Sequence, residues 1–213
     1  MSTNSIGLID YGMGNMHSIA KALEHVGGSV NLVSEPAQLA GCDRIVLPGV
    51  GAFRDCIGTL EAKGLDAAIK SFVTTGKPFL GICLGMQVMM DVSYEFGTYR
   101  GLGLIPGAVK PFPESHPERG FKIPHMGWND VIISSEKPAH PVIAPLKGQQ
   151  VYYVHSYYCA PENPDHLLAA SSYGDYPFAA AIGRDNIVGV QFHPEKSQRA
   201  GLALLEAFLK WQP

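Results

Sequence analysis

Short apolar runs alternate with helix-like segments through the first half of the chain. The strand-like runs lie at residues 6–9, 30–33, 44–47 and 79–82. The helix-like segments, which place apolar residues on one face, lie at residues 19–26, 65–73 and 84–90. Gly27 and Gly28 end the first of these helices. This alternation predicts a parallel sheet with right-handed crossovers.

The second half of the chain follows a different pattern. Residues 101–117 contain four prolines and predict a loop. Strand-like runs then come close together with turn formers between them, which predicts antiparallel hairpins. These runs lie at residues 131–133, 151–154, 167–170, 178–182 and 187–190, with a tight turn at 185–186. Apolar spacing at residues 202–209 predicts a closing amphipathic helix, with Ser197 as its N-cap.

Together these patterns predict an α/β fold in a single domain over residues 1–213. We expect an open, mostly parallel central sheet flanked by helices, with antiparallel strands in the second half. The chain shows no internal repeat and no low-complexity linker that would divide it. A length of 213 residues is enough for one domain with a sizeable core.

Charge and composition narrow the classes of function. The formal net charge is -3, and Lys and Arg are scattered, so we expect no nucleic-acid partner. No window of eighteen apolar residues occurs, so we expect no membrane span. Residues 1–6 lack the basic and apolar pattern of a secretory signal. We therefore expect a cytoplasmic protein, in which free thiols are stable.

The most informative segment is the run from residue 78 to residue 87. It predicts a strand, then the pattern Gly81-x-Cys83-x-Gly85, then a helix, which is the cysteine form of a nucleophile elbow. The two glycines leave room at a sharp turn, and the turn presents the sulfur at the carboxyl end of the sheet. The following helix would favour the thiolate at its N-terminus. Cys83 is therefore the candidate nucleophile, against the alternative of a small buried residue beside a turn.

A cysteine nucleophile needs a base and a group that orients the base. The strand at 187–190 delivers His193 to its carboxyl end, and Pro194 stiffens the turn that follows. Glu195 can then reach the far ring nitrogen and fix the tautomer, while the near nitrogen faces the thiol. Alone, this His-Pro-Glu segment could be a surface loop. Together with the elbow it predicts a Cys83, His193 and Glu195 triad.

The other cysteines and histidines carry weaker signals. Cys42, Cys56 and Cys159 have no elbow and are predicted to be structural. Of the remaining histidines, only His155 is expected near a pocket. No spacing of cysteines or histidines indicates a metal site, and we expect neither a metal nor a cofactor.

The two separated motifs resemble those of the class I, triad-type glutamine amidotransferases, which have a flavodoxin-like fold. The resemblance covers essentially the whole chain. Four further segments narrow it to the glutaminase subunits of imidazole glycerol phosphate synthases. These segments are residues 10–15 (Asp-Tyr-Gly-Met-Gly-Asn), 47–53 (Leu-Pro-Gly-Val-Gly-Ala-Phe), 124–129 (Pro-His-Met-Gly-Trp-Asn) and 193–197 (His-Pro-Glu-Lys-Ser).

The resemblance implies an enzyme of histidine biosynthesis that hydrolyses glutamine to glutamate and ammonia through a thioester. Its partner would be a cyclase subunit with a (β/α)8 barrel fold, joined to it in a heterodimer. Anthranilate and aminodeoxychorismate synthase glutaminases usually carry His where Met86 stands, and the pyridoxal phosphate synthase glutaminase differs after its cysteine. These glutaminases remain alternatives, as do a hydrolase of the same fold and a non-catalytic binding module.

Roles for other residues follow from the mechanism and the resemblance. Oxyanion donors are expected from the backbone of Leu84 and of the stretch that includes Val50 and Gly51. We hypothesise that the Gly49–Val50 peptide turns inward when the partner binds its substrate. The residues expected to hold glutamine are Gln87, Gly49, His155, Ser156 and Tyr157. The residues expected at the partner interface are Asp10, Asn15 and Lys196.

Overall fold

We describe the chain from a computed structural model, over residues 5–136 and 138–213. The predicted absence of a secretory signal concerns residues 1–6, of which 1–4 lie outside the described residues. The strands are β1 Ser5–Ile9, β2 Ser29–Val33, β3 Arg44–Gly49, β4 Phe79–Cys83, β5 Met90–Ser93, β6 Tyr99–Arg100, β7 Ile105–Pro111, β8 His125–Asp130, β9 Gln150–His155, β10 Tyr157–Pro161, β11 Leu167–Tyr173, β12 Tyr176–Arg184 and β13 Ile187–Val190. The α-helices are α1 Met16–His25, α2 Phe53–Ala62, α3 Leu65–Val73, α4 Leu84–Gln87, α5 Ser115–Glu118 and α6 Gln198–Lys210.

A seven-stranded sheet forms the centre, in the order β11-β12-β13-β4-β3-β1-β2. The five strands from β13 to β2 are parallel, whereas β12 and β11 add to the edge as antiparallel strands. The parallel part has the 2-1-3-4-5 order of flavodoxin-like sheets. The predicted fold class is therefore confirmed, including the antiparallel strands of the second half.

Alternation along the strands divides the core between the two faces of this sheet. In β3, Val46 packs on one face with α1 and α6, and Ile45 and Leu47 pack on the other with α2 and α3. The closing helix contributes Phe208 to the first face. Burial on both sides explains why the runs in the central strands β3 and β4 are almost continuously apolar, whereas the edge strand β2 is mostly exposed.

Two smaller sheets lie beside the central one, with orders β10-β7-β5-β6 and β8-β9. Three predictions fail here. Residues 101–117 are not only a loop, because β7 pairs with β10 and β5. The predicted strand at 131–133 is wrong: Ile132 makes one isolated bridge to Ala170, and the strand is β8, just before it.

The third failure is the helix expected over residues 84–90. Helix α4 ends at Gln87, and β5 begins at Met90. The next segment takes the carbonyls that a longer helix would use, since Leu102 donates to the Val88 carbonyl and Leu104 donates to the Met89 carbonyl. Tertiary pairing overrides the helical pattern of the apolar residues in this segment.

Helix α4 packs against β3 with almost no space between the two backbones. A Cβ atom on Gly85 would lie 1.8 Å from the Leu47 carbonyl oxygen, a backbone atom that cannot turn away. By contrast, a Cβ atom on Gly58, exposed in the middle of α2, would meet nothing within 4 Å. The close approach of α4 to β3 thus requires glycine at position 85, whereas nothing in the packing requires glycine at position 58.

We expect Gly85→Ala to lower the free energy of unfolding by about 3 kcal/mol, because the backbone of α4 or β3 must shift. The matched variant Gly58→Ala should gain roughly 0.5–1 kcal/mol, since alanine is the better helix former. Urea unfolding followed by circular dichroism measures both values. Equal stability of Gly85→Ala and the wild type would contradict the close approach.

Candidate active site

Cys83 lies at the turn between β4 and α4, as the elbow pattern predicted. Its φ of 54° and ψ of -110° are strained for a residue other than glycine. A Cβ atom on Gly81 would lie 2.6 Å from the Gly85 carbonyl oxygen, so the two flanking glycines are needed for the turn to close. The strain is held by the packing of α4 against β3. The sulfur is thereby aimed at a cavity at the carboxyl end of the sheet.

That cavity has a volume of about 290 Å³, which suits a small ligand such as an amino acid. It brings together residues that are far apart in the sequence. The cavity is lined by Val50, Gly51, Cys83, Leu84, Gln87, Glu95, Pro124, Val154, His155, Ser156, Tyr157 and His193. Most of the predicted site residues therefore surround one space.

His193 and Glu195 lie together beside this cavity. The His193 Nδ1 and Glu195 Oε1 atoms are 3.0 Å apart, and both side chains are almost completely buried. The other ring nitrogen, Nε2, is buried and makes no normal hydrogen bond to the described residues. The Cys83 sulfur is nevertheless close enough to act on the ring. The structure thus brings the three predicted residues together in the order thiol, imidazole, carboxylate.

The surroundings of His193 raise its pKa, which the sequence did not predict. Burial lowers the pKa of His193, but Cys83 and the Glu195 carboxylate outweigh it and raise the pKa from 6.5 to about 10. These two neighbours thus favour the protonated form of the ring, in which both nitrogens are donors. The Glu195 carboxylate accepts from Nδ1 of a neutral or a protonated ring, so its predicted role in orienting the ring remains a prediction.

The loop that carries His193 is fastened to strand β9. The His193 N–H donates to the Tyr152 carbonyl at 2.9 Å. Ser197 Oγ donates to the His193 carbonyl at 2.7 Å and accepts from the Tyr152 N–H at 3.0 Å. Ser197 stands at the N-cap position of α6, as predicted, but its side chain makes no capping hydrogen bond. Its hydroxyl fixes the His193 loop instead.

The predicted oxyanion donors lie at one end of the cavity. Leu84 begins α4, so its N–H has no partner within the helix. Val50 and Gly51 also line the cavity, and Gly51 has a φ of 93°. Gly49 is not among the lining residues. It lies behind the wall, where a Cβ atom would come within 2.8 Å of Leu84 Cβ and of Tyr11 Oη.

The predicted glutamine-holding residues Gln87, His155, Ser156 and Tyr157 all line the cavity. The Gln87 Nε2 donates to the Tyr157 carbonyl at 3.0 Å and to Gln191 Oε1 at 3.1 Å. A ligand would therefore meet Gln87 through its acceptor end, Oε1. His155 is buried, and its Nδ1 lies 2.9 Å from the Tyr157 carbonyl oxygen.

Two polar side chains of the site were missed from the sequence. Glu95 follows β5, lines the cavity, and accepts a hydrogen bond from the Phe53 N–H at the start of α2. Gln191 precedes Phe192 and His193, is fully buried, and contacts the Cys83 sulfur through Nε2 at 3.8 Å. Gln191 lies inside the motif that identified His193, which was a signal for it. No pattern marked Glu95, because strand β5, which precedes it, was not predicted from the sequence.

The residues predicted at the partner interface lie outside the cavity. Asp10 follows β1 and accepts from the Gly12 N–H at 3.0 Å, and Asn15 stands at the N-cap of α1. Lys196 is exposed, with its Nζ 5.8 Å from the centre of the Tyr152 ring. All three follow parallel strands at the same edge as Cys83. Their predicted role in partner binding remains a prediction.

The remaining thiols have surroundings unlike that of Cys83. Cys42, Cys56 and Cys159 are free and buried. Burial raises the pKa of Cys42, raises that of Cys56 to about 12, and raises that of Cys159 further. They are thus inert packing groups, in line with the structural role predicted for them.

Within residues 5–136 and 138–213, no group of three His, Cys, Asp or Glu side chains is arranged to hold a metal ion. No helix in the same part of the chain is long and apolar enough to cross a bilayer.

The comparisons with known proteins agree with this geometry. A family model described as class I glutamine amidotransferase matches residues 7–211. The imidazole glycerol phosphate synthase subunit HisH of Syntrophotalea carbinolica is 49% identical over 206 residues, covering 95% of this chain and 98% of the relative. The subunit of the same name from Methylococcus capsulatus is 49% identical over 216 residues, covering 99% and 98%. Among solved structures, PurLQS from Thermotoga maritima has a TM-score of 0.73 at 18% identity, covers 98% of both chains, and shows the likeness of the fold.

We expect Glu195→Gln to lower the pKa of His193 from about 10, because one of the two groups that hold the proton is lost. NMR titration of the His193 ring measures the change. The pKa in the folded chain lies above the unfolded value of 6.5, so the stabilisation is complete below pH 6.5 and is lost as the pH rises through 10. Glu195→Gln should therefore have a lower free energy of unfolding than the wild type below pH 6.5, and this difference should shrink as the pH rises towards 10. An unchanged titration would rule out the role of the carboxylate.

Proposed function

From the premise that this chain belongs to the class I glutamine amidotransferase family, we propose that Cys83, His193 and Glu195 hydrolyse glutamine to glutamate and ammonia. The chain is a glutaminase, and it serves as the glutaminase subunit of an imidazole glycerol phosphate synthase in histidine biosynthesis. The observation that carries the proposed mechanism is the elbow cysteine, which opens into a cavity beside a buried imidazole and carboxylate. In this proposal, residues 1–213 form one glutaminase domain.

The first half of the reaction forms a thioester. The Cys83 thiolate attacks the side-chain amide carbon of glutamine, and the carbonyl oxygen becomes an oxyanion. The protonated form of His193, which Cys83 and Glu195 favour, supplies the proton that the leaving ammonia needs. Loss of ammonia leaves a glutamyl thioester on Cys83 and a neutral His193.

The second half of the reaction returns the enzyme to its starting state. Neutral His193 takes a proton from water, and the resulting hydroxide attacks the thioester carbon. Collapse of that intermediate releases glutamate and the Cys83 thiolate beside a protonated His193. Glu195 favours this protonated state throughout, since its carboxylate lies 3.0 Å from the ring.

Oxyanion binding needs donors on the side of the cavity opposite His193. The Leu84 N–H, at the first residue of α4, is well placed for this task. The second donor in our proposal is the Val50 N–H, which belongs to the Gly49–Val50 peptide. Gly51 has the positive φ that lets this stretch change direction, whereas Gly49 is required by its close approach to Leu84.

Recognition of glutamine rests on charge and hydrogen-bond complementarity. The carboxylate of Glu95 is a natural partner for the α-ammonium group, and Gln87 Oε1 can accept from the same group. Ser156 and Tyr157, which also line the cavity, are the proposed contacts of the α-carboxylate. These assignments leave the side-chain amide of glutamine directed towards Cys83.

Ammonia would pass to a cyclase subunit with a (β/α)8 barrel fold, in a heterodimer. Asp10, Asn15 and Lys196 are the proposed interface residues, because they surround the edge of the sheet at which the cavity opens. We propose a cytoplasmic location, which the four free cysteines support, since thiols persist in a reducing compartment. Neither a nucleic acid nor a membrane is a partner in this proposal, and no metal or cofactor takes part.

Replacing the nucleophile tests the function directly. We expect Cys83→Ser to lower glutaminase turnover at least about a thousandfold, because a serine hydroxyl is not ionised by His193. Glutamate release should be measured with the cyclase subunit and its ligand present. Cys42→Ser is the matched control, since a serine can make the same contact to the Gln38 carbonyl. Wild-type turnover by Cys83→Ser would refute the nucleophile.

The proposed second oxyanion donor can be removed without touching the triad. Val50→Pro deletes the N–H of the Gly49–Val50 peptide, and we expect turnover to fall roughly 100-fold to 1,000-fold. Glutamine affinity, measured by calorimetry in a Cys83→Ser background, should change little. Val50→Ala keeps the N–H and trims only an exposed side chain, so it should behave like the wild type. If Val50→Pro kept full turnover, the donor would have to lie elsewhere.

A further inference from the structure

We propose that Gln191 is a positioning residue, which holds the Cys83 sulfur through its amide nitrogen and favours the ionised form of the thiol. The inference rests on the proposed function, because it takes Cys83 as the nucleophile. Gln191 directly follows β13, the neighbour of β4 in the central sheet, and its side chain is completely buried. Its backbone N–H donates to the Ala180 carbonyl, which fixes the start of the side chain.

Two protein atoms contact the sulfur with opposite hydrogen-bonding character. The Val154 carbonyl oxygen, at 3.9 Å, can only accept, so it serves the neutral thiol. Gln191 Nε2, at 3.8 Å, can only donate, so it serves a sulfur that carries negative charge. Ionisation therefore strengthens the contact with Gln191 and weakens the contact with Val154. Hydrogen bonds to ionised groups are the stronger ones.

The direction of the Gln191 amide follows from its neighbours. The Tyr157 carbonyl can only accept, so the Gln87 group that lies 3.0 Å from it must be the nitrogen. The same nitrogen then faces the Gln191 side chain at 3.1 Å, and that contact requires the oxygen of Gln191. The remaining end of the Gln191 amide, its nitrogen, is left facing the sulfur.

The Tyr157 carbonyl is itself held by a buried pair of histidines. His155 Nδ1 lies 2.9 Å from it and must donate, which makes His155 Nε2 an acceptor for His125 Nδ1 at 3.0 Å. His125 Nε2 then accepts from Asn129 Nδ2 at 3.3 Å. Burial lowers the pKa of His155 to about 3 and that of His125 to about 4, so both rings are neutral. Every donor and acceptor from Asn129 to the sulfur therefore has one defined role.

Several titratable groups lie near the sulfur and can change their charge, so a donor that stays uncharged has an advantage. His193 faces Cys83 from the loop after β13, Tyr11 from the loop after β1, and Cys159 from β10. Glu195 acts through His193, and Glu95 lines the same cavity. His193 gives up its proton during the reaction, whereas the Gln191 amide never titrates. Gln191 can therefore hold the sulfur in every step of the cycle.

Alkylation of Cys83 tests this role without requiring glutaminase activity. The rate with iodoacetamide at neutral pH, located on Cys83 by mass spectrometry, should fall roughly tenfold in Gln191→Met, which keeps the length of the side chain but not the donor. The alkylation rate should fall further in Gln191→Glu, because this variant places a carboxylate oxygen against the sulfur. Thermal unfolding of each variant reports whether the fold is kept. With the cyclase subunit present, kcat for glutaminase should fall more than KM changes.

A double substitution tests whether Gln87 acts by orienting Gln191. Gln87→Met alone should slow alkylation, whereas adding it to Gln191→Met should slow alkylation no further, because the two residues act through one hydrogen bond. If the two substitutions each slowed alkylation and their factors multiplied in the double variant, the proposed action of Gln87 through Gln191 would be overturned.

Wild-type alkylation by a folded Gln191→Met would overturn the proposal, and so would a faster rate in Gln191→Glu than in Gln191→Met. These outcomes are distinct from failure of the proposed function. If the wild type released no glutamate with any partner, the glutaminase would be refuted, and the alkylation order would still report on the sulfur.

Discussion

The contact between Gly85 and the Leu47 carbonyl sets the geometry of everything around the thiol. It lets α4 begin directly on top of β3, and this packing forces the backbone of Cys83 into its strained turn. The strained turn then aims the sulfur out of the sheet rather than into the core. The groups that act on the sulfur, from His193 to Gln191, are useful only because this one approach places it correctly. A single backbone contact is therefore the constraint on which the chemistry depends.

The site combines rigid and adaptable parts. The thiol, imidazole and carboxylate lie on neighbouring parallel strands and their following loops, and all three are almost completely buried. The Val50 and Gly51 wall is more exposed and has one residue in the left-handed region. This division suits an enzyme whose nucleophile is prepared in advance, while the oxyanion donors can depend on the state of a partner.

Much of the fold and the site could be predicted from the sequence, and the failures have physical causes. The glycines beside Cys83 and the proline after His193 are local signals, because they act through backbone geometry within a few residues. The strand β7 was missed because its pairing with β5 and β10 is a tertiary effect, and prolines at its ends resemble a loop. The charge on His193 could not be predicted either, since it depends on burial and on the distance to two groups. Gln191 was missed although it lies close to His193, because nothing in its spacing shows that its amide reaches the sulfur.

Strand β9 contacts the site at three places, in addition to pairing with β8. Its backbone holds the His193 loop at Tyr152, contacts the sulfur at Val154, and forms the cavity wall at His155. Strand β9 therefore holds the His193 loop, a neighbour of the Cys83 sulfur and part of the cavity wall in one element. A displacement of β9 would move all three together, so local opening of this two-stranded sheet should abolish turnover even where the central sheet stays folded. Activity would then be lost while the central sheet is still folded.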